Sequence, residues 1–242
     1  MAEIITFFGG DSQVGLTLLT QSIAQGLKSR AKKCLVIFAS SEIDEGYLPT
    51  EKAGNLGTLL RLSKVEYSDV MPCIEKGSDF DYIKGPSDIL KKQFFSAELL
   101  DDISKLLTRE YDYILIDAGH DVTLPLCVGA LMLANRRFYV LTGSEKCIAR
   151  YKASSLSVID GLGVDTEEDR LIINKENKKI ATYLSGEMFN LLGKEGFSVP
   201  MYDNYLRCEV DKSTAFNRDN TYQKAILMIT DEIMHLTPKG KR

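Results

Sequence analysis

Histidine is scarce and paired cysteine is missing in this 242-residue sequence, which removes the commonest metal and disulfide chemistry at once. His120 and His235 are its two histidines and stand far apart. The five cysteines, Cys34, Cys73, Cys127, Cys147 and Cys208, contain no C-x-x-C pair and are odd in number. Neither a zinc ribbon nor a disulfide framework is encoded, and a reducing cytoplasm fits this usage. Excess positive charge is also lacking. Against 34 acidic side chains stand 30 basic ones, a net charge of -4 and a pI near 5.4. No overall field exists to hold a nucleic-acid backbone, so no nucleic-acid partner is expected. Long apolar runs are missing too. The longest, residues 124–134, falls far short of the roughly 20 residues that span a bilayer. The start has no basic region of the kind that opens a secretion signal. A chain neither exported nor membrane-spanning is expected, meeting membrane only through partners.

What remains is an ordinary globular composition, 44% hydrophobic and 26% charged, with 18 glycines and 6 prolines. Short β-branched and aromatic runs alternate with longer helical patterns. Strands are expected at residues 3–8 (EIITFF), 34–39 (CLVIFA), 80–84 (FDYIK), 113–117 (YILID), 138–142 (FYVLT), 170–174 (RLIIN) and 197–201 (FSVPM). Several are nearly unbroken apolar runs, as strands covered on both faces require. Helices are expected at 15–30, 97–109, 148–161, 180–193 and 222–236, with 41–79 a loop-and-short-helix excursion. The first helix is the clearest: Leu18, Leu19, Ile23 and Leu27 recur at spacings of three and four. This alternation predicts an α/β fold of three layers, a mostly parallel twisted sheet with helices on both faces. No linker or repeat divides the chain, so a single domain over residues 1–242 is expected.

Between the first strand and first helix lies Gly9-Gly10-Asp11-Ser12-Gln13-Val14-Gly15-Leu16-Thr17. The spacing Gly10-x4-Gly15-x-Thr17 is that of a phosphate-binding loop. Its glycines let backbone N–H groups turn inward, and the next helix offers its positive end to an anion. The threonine hydroxyl then faces magnesium. The full pattern has lysine before the hydroxyl residue, where this chain has Leu16. A plain glycine-rich turn with no ligand is the other reading of the same residues.

From these residues the chain resembles the ParA/MinD family of deviant P-loop ATPases over nearly its whole length. The family loop reads Lys-Gly-Gly-x-Gly-Lys-Thr, and alignment on Thr17 puts its signature lysine at Asp11. Residues 111–117 (YDYILID) resemble the family's YDxIIID strand, whose last aspartate, here Asp117, helps hold magnesium. Residues 32–40 (KKCLVIFAS) resemble KKVLLIDxD, with Phe38 and Ser40 at the two acidic positions. Residues 171–175 (LIINK) and 199–203 (VPMYD) are similar to the VxNK and VPxD segments that border the base. Residues 81–88 (DYIKGPSD) look like the YVLPGPSDP stretch of TadZ/CpaE-like proteins of Flp-type pilus systems, the subgroup the chain resembles most. Those proteins usually carry an N-terminal receiver-like domain, which this sequence does not include.

The resemblance implies a retained nucleotide against Gly10, Gly15, Leu16, Thr17, Leu18, Asn174 and Pro200, with magnesium on Thr17 and Asp117. Asp11, Leu16, Phe38 and Ser40 are the degenerate positions. Losing two lysines and gaining an aspartate changes the local charge by about three units, each of order 4 kcal/mol at ~4 Å before screening. ATP and magnesium are therefore expected to bind weakly or not at all. Hydrolysis, which rests on charge stabilisation and positioning, should be lost first. The expected function is a pseudo-ATPase scaffold, homodimeric, that places or assembles a pilus or secretion apparatus through protein contacts. The alternative is a working ATP-dependent dimerisation switch that borrows Arg136, Arg137, Lys146 or Arg150 for charge. Restoring Leu16→Lys with Asp11→Lys is expected to recover affinity.

Four residues carry two readings each. Asp11 either folds inward to accept loop N–H groups or is solvated. Asp117 and Asn174 are either ligand contacts or polar strand ends. Cys127 is read as a core cysteine rather than a cluster ligand. The last helix, with Ile226, Met228, Ile229, Ile233 and Met234 ahead of Lys239, Lys241 and Arg242, has the recipe for membrane attachment. Asp231 and Glu232 interrupt its polar face and favour packing on the sheet.

Overall fold

The structure is a computed structural model that describes residues 1–40, 54–60, 62, 64–86, 93–154 and 158–235. Ser87 and Asp88 of the glycine–proline stretch, and Leu236, Lys239, Lys241 and Arg242 of the tail, lie outside the described residues, as do parts of the 41–79 excursion and of the expected 148–161 helix.

Eight strands form one sheet: β1 (Glu3–Gly9), β2 (Cys34–Phe38), β3 (Ile74–Glu75), β4 (Asp81–Ile83), β5 (Tyr113–Asp117), β6 (Arg136–Leu141), β7 (Arg170–Glu176) and β8 (Gly196–Pro200). Their order is β3-β4-β2-β5-β1-β6-β7-β8. Every pairing is parallel except β3 with β4. β1 is thus flanked by β5 and β6, and the connections from β1 to β2 and from β5 to β6 run in opposite directions across the sheet. Such a switch point opens a crevice at the carboxyl ends of the strands.

The helices are α1 (Leu16–Ser29), α2 (Leu56–Leu59), α3 (Tyr67–Val70), α4 (Leu99–Leu107), α5 (Pro125–Leu133), α6 (Glu145–Ser154), α7 (Ser185–Leu192), α8 (Tyr205–Asp211) and α9 (Asn220–His235). β2, β5 and β6 are buried along their whole length, which needs cover on both faces. Two adjacent arginines identify the covers. Successive strand residues point to opposite faces. Arg136 donates to the Ile233 carbonyl of α9 at 2.6 Å, and Arg137 to the Leu131 carbonyl of α5 at 2.7 Å. α9, packed on α1, therefore lies on one face, and α5, packed on α4, on the other. The three-layer α/β architecture expected from the alternating pattern is the one that forms.

Five elements differ from expectation. Residues 124–134 form α5, which is apolar nearly all round because it packs on both α4 and β1, so no one-sided stripe marks it. β3 is two residues long and sits inside the 41–79 excursion. Strand β6 starts at Arg136 rather than at residue 138. α6 and α7 begin off the expected positions, at Glu145 and Ser185. The last helix packs against α1 and β8, with Ile226, Ile229 and Ile233 buried. No helix among the described residues is long and apolar enough to cross a membrane.

Candidate functional site

The loop between β1 and α1 is anchored at both ends. Gly9 N–H donates to the Gly119 carbonyl at 2.8 Å and Gly10 N–H to the Val140 carbonyl at 2.9 Å. A side chain on Gly10 would run into Leu141 and crowd Cys147 and Tyr151, so glycine here is a packing requirement. Gly15 caps α1 in the left-handed region at φ 81°, and a Cβ there would sit 2.8 Å from Asn174 Nδ2. No side chain caps the helix and its first turn holds no acid, so its N-terminal N–H groups have no side-chain partner from the cap. Gly15, Leu16, Thr17 and Leu18 line a cavity of about 410 Å³ at this end of the sheet.

Thr17 and Asp117 meet across that cavity. The Thr17 hydroxyl donates to the Asp117 carboxylate at 2.8 Å, and Gly119 N–H donates to its other oxygen at 3.1 Å. Among the described residues no group of three His, Cys, Asp or Glu side chains could hold a metal. A hydroxyl and a carboxylate this close still fit magnesium, a hard cation that takes few protein oxygens and keeps waters and phosphate oxygens for the rest.

The degenerate positions each have a definite place. Phe38 is 2% exposed and lies edge-on to Tyr82, so an apolar ring fills the first acidic position. Ser40 lines the cavity beside Gly119. Leu16 is 8% exposed and adds apolar surface to the wall.

Asp11 is not solvated: it is 8% exposed. Its carboxylate accepts the Ser12 N–H at 2.7 Å, pairs closely with Arg150 and lies 3.4 Å from Lys146. Burial pushes this carboxyl up, but the Ser12 N–H and the two α6 cations outweigh it and hold it below the usual range. Of the loop N–H groups only that of Ser12 is seen to reach it, so Asp11 is a tether between loop and α6 rather than a stand-in phosphate.

Arg136 and Arg137 are not available to a phosphate. They begin β6, at the end of the sheet away from the loop. Arg136 bonds to Glu3, and Arg137 pairs with Asp169 at 3.1 Å.

On the side where the base was expected, Asn174 Nδ2 donates to the Val14 carbonyl at 2.8 Å, which ties β7 to the loop. Leu18, Asn174 and Pro200, together with Tyr202, Tyr205 and Tyr222, enclose only about 20 Å³. That holds about one water. Cys127 is 1% exposed within α5, as a core cysteine should be.

Sequence reasoning missed Lys175. It ends the apolar run of β7 in the left-handed region at φ 56°, strained for a lysine. That turn lays its side chain over the loop, where Nζ donates to the Gln13 carbonyl at 2.7 Å and stands 5.6 Å from the centre of the Tyr205 ring. Burial pulls its ammonium pKa below the ordinary lysine value. The Asn-Lys pair at the strand end was the available signal.

No protein-family model and no curated protein matches the sequence. Solved structures do match. A ParA family ATPase from Chlorobium tepidum TLS superposes with a TM-score of 0.79 at 17% identity, covering 95% of this chain and 99% of that one. The chain has the ParA/MinD fold. A chain of the MinC:MinD cell division protein complex of Aquifex aeolicus gives 0.78 at 19% identity, covering 100% of this chain and 99% of that one. Septum site-determining MinD of Pyrococcus horikoshii OT3, complexed with Mg-ADP, gives 0.74 at 16% identity and full coverage of both chains. The ParA/MinD fold thus accounts for the switch point and for a glycine loop at its mouth.

Proposed function

We propose that this chain is a single ParA/MinD-like domain that has kept the phosphate cradle of its fold and lost hydrolysis. It acts as a homodimeric scaffold that positions or assembles a larger protein apparatus in the cytoplasm. The observation that carries this reading is the mixed state of the site. Loop, hydroxyl and carboxylate are held in register by the Thr17–Asp117 bond. Leucine stands in place of the loop lysine, phenylalanine in place of the first acid of β2, and Asp11 is tethered to α6. Thr17 and Asp117 would hold magnesium, and the N–H groups of α1 would face the phosphates. Bound there, magnesium supplies charge neutralisation. No carboxylate remains at residues 38 and 40 to orient an attacking water, so the step that needs most positioning is the one lost.

The Mg-ADP complex of Pyrococcus horikoshii MinD supports a nucleotide as the class of guest, and the MinC:MinD complex supports protein partners. The resemblance of residues 81–88 to TadZ/CpaE-like proteins makes a Flp-type pilus the apparatus we favour. Calorimetric titration with Mg-ATP, beside a phosphate-release assay and light scattering without nucleotide, tests the reading. Weak binding, no turnover and a nucleotide-independent dimer are expected. Steady phosphate release overturns it in favour of the ATP-dependent switch.

A further inference from the structure

We propose that Lys175 has taken over the charge-neutralising role of the loop lysine that Leu16 replaces, so that the glycine loop still holds a magnesium-bound oligophosphate. This rests on the reading of the loop as a retained phosphate cradle, and it names the cation that keeps it one.

The argument starts from an inventory of charge. Lys175 is the one lysine or arginine among the described residues that line the 410 Å³ cavity. Arg150 and Lys146 approach the loop from α6, but both turn to Asp11. Arg136 and Arg137 serve the far end of the sheet. The cation therefore comes from β7, two strands from β1, by way of β6.

Geometry agrees with the inventory. Lys175 Nζ lies 3.8 Å from a Cβ built on Gly15, directly over the residue that opens α1. An ammonium has three donors. One meets the Gln13 carbonyl, which leaves two for a guest seated on the loop N–H groups. At Lys175 the backbone turns into the left-handed region at φ 56°, and the side chain reaches the loop from there. Partial desolvation strengthens its attraction for an anion, since less water competes.

The competing role for this side chain is to fasten the loop through Gln13. Lys175→Gln separates the two, because an amide N–H can keep the Gln13 bond while the charge is gone. Titration of magnesium pyrophosphate into the full chain is the measurement. Lys175→Gln is expected to weaken binding at least about tenfold, about 1.4 kcal/mol, with the ligand-free melting temperature unchanged. Adding Leu16→Lys in that background returns a cation to the usual loop position and is expected to restore affinity to within about threefold. Wild-type affinity should fall as pH rises through the lowered Lys175 pKa, at a lower pH than an ordinary lysine (~10.4) would give. Lys175→Arg should bind without that fall.

The inference is overturned if wild type fails to bind pyrophosphate. It is also overturned if Lys175→Gln binds as tightly as wild type, or if the folded double variant gains nothing. ATP turnover by wild type would sink the non-hydrolysing scaffold and leave the assignment of Lys175 standing.

Discussion

Thr17 and Asp117, one hundred residues apart in sequence, share a hydrogen bond of 2.8 Å in which the hydroxyl donates to the carboxylate. The bond joins the first turn of α1 to the end of β5, so it holds the helix start in register with the strand beside β1. A hydrogen bond to a charged group contributes about 1.5–3 kcal/mol net when partly buried. Thr17→Val should therefore lower stability by roughly that amount. At about 2–4 °C per kcal/mol for a chain of this size, scanning calorimetry should show a fall of several degrees. Thr17→Ser should keep most of it.

The Asp11 tether is pH-dependent with a definite sign. Its carboxyl is held below the usual carboxylate range in the folded chain. It therefore adds stability above the unfolded value of about 3.9 and loses that contribution as pH falls through the lower, folded value. Asp11→Asn should flatten this part of the melting-temperature profile between about pH 5 and 2. Arg150 is half exposed, so the change near neutrality should stay under about 1 kcal/mol. Asp11→Lys is different, because it sets a third cation beside Arg150 and Lys146. The paired restoration Leu16→Lys with Asp11→Lys should thus displace the loop and recover less phosphate affinity than Leu16→Lys alone.

Beneath β6, Arg137 and Asp169 form a buried pair, and the Tyr139 hydroxyl donates to Asp169 at 2.7 Å. Removing one partner of a buried pair leaves an uncompensated charge, which costs about 3–5 kcal/mol. Asp169→Ala should drop the melting temperature by about 10 °C. Thermal denaturation followed by circular dichroism measures it, and a loss of less than 2 °C would contradict the pairing.

All five cysteines are free and buried, and burial, with Asp112 nearby, pushes the Cys34 thiol up to about 12. Thiolates are the reactive form. A colorimetric thiol reagent at pH 8 should find essentially none in the native chain within minutes, and five after denaturation.

Tyr205 lines the cavity beside Asn174 and Pro200, where the proposed nucleotide's base would sit and only about 20 Å³ remain. Tyr205→Ala should raise affinity for Mg-ATP relative to magnesium pyrophosphate by at least about threefold in parallel titrations. An unchanged ratio would show that the ring does not stand in the way of a base.

Much of this was legible because parallel, doubly covered strands write themselves as apolar runs. β1, β2 and β4 to β8 lie within about two residues of those runs, while β3 is too short to leave a pattern. The helix α5 was hidden for the opposite reason: uniformly apolar residues show no periodicity. In the site, Gly10, Gly15, Thr17 and Asp117 were readable from local spacing. The partners of Asp11 were not, since Arg150 lies 139 residues away and only the β1–β6 pairing brings α6 to the loop. Nor was Lys175, whose direction depends on one backbone torsion. Arg136 and Arg137 were misassigned because charge alone does not reveal that both stand at the start of a buried strand.

Those two arginines have a mechanical consequence. From neighbouring positions on a single strand they grip α9 above and α5 below, so both helical layers are riveted to the sheet at its amino edge. The opposite rim is fastened by single bonds around the loop, among them the Thr17–Asp117 bond and the ties of Asp11, Asn174 and Lys175. The two ends of the sheet thus differ in kind: charged side chains clamp both helical layers at one, and a web of short bonds holds the loop at the other.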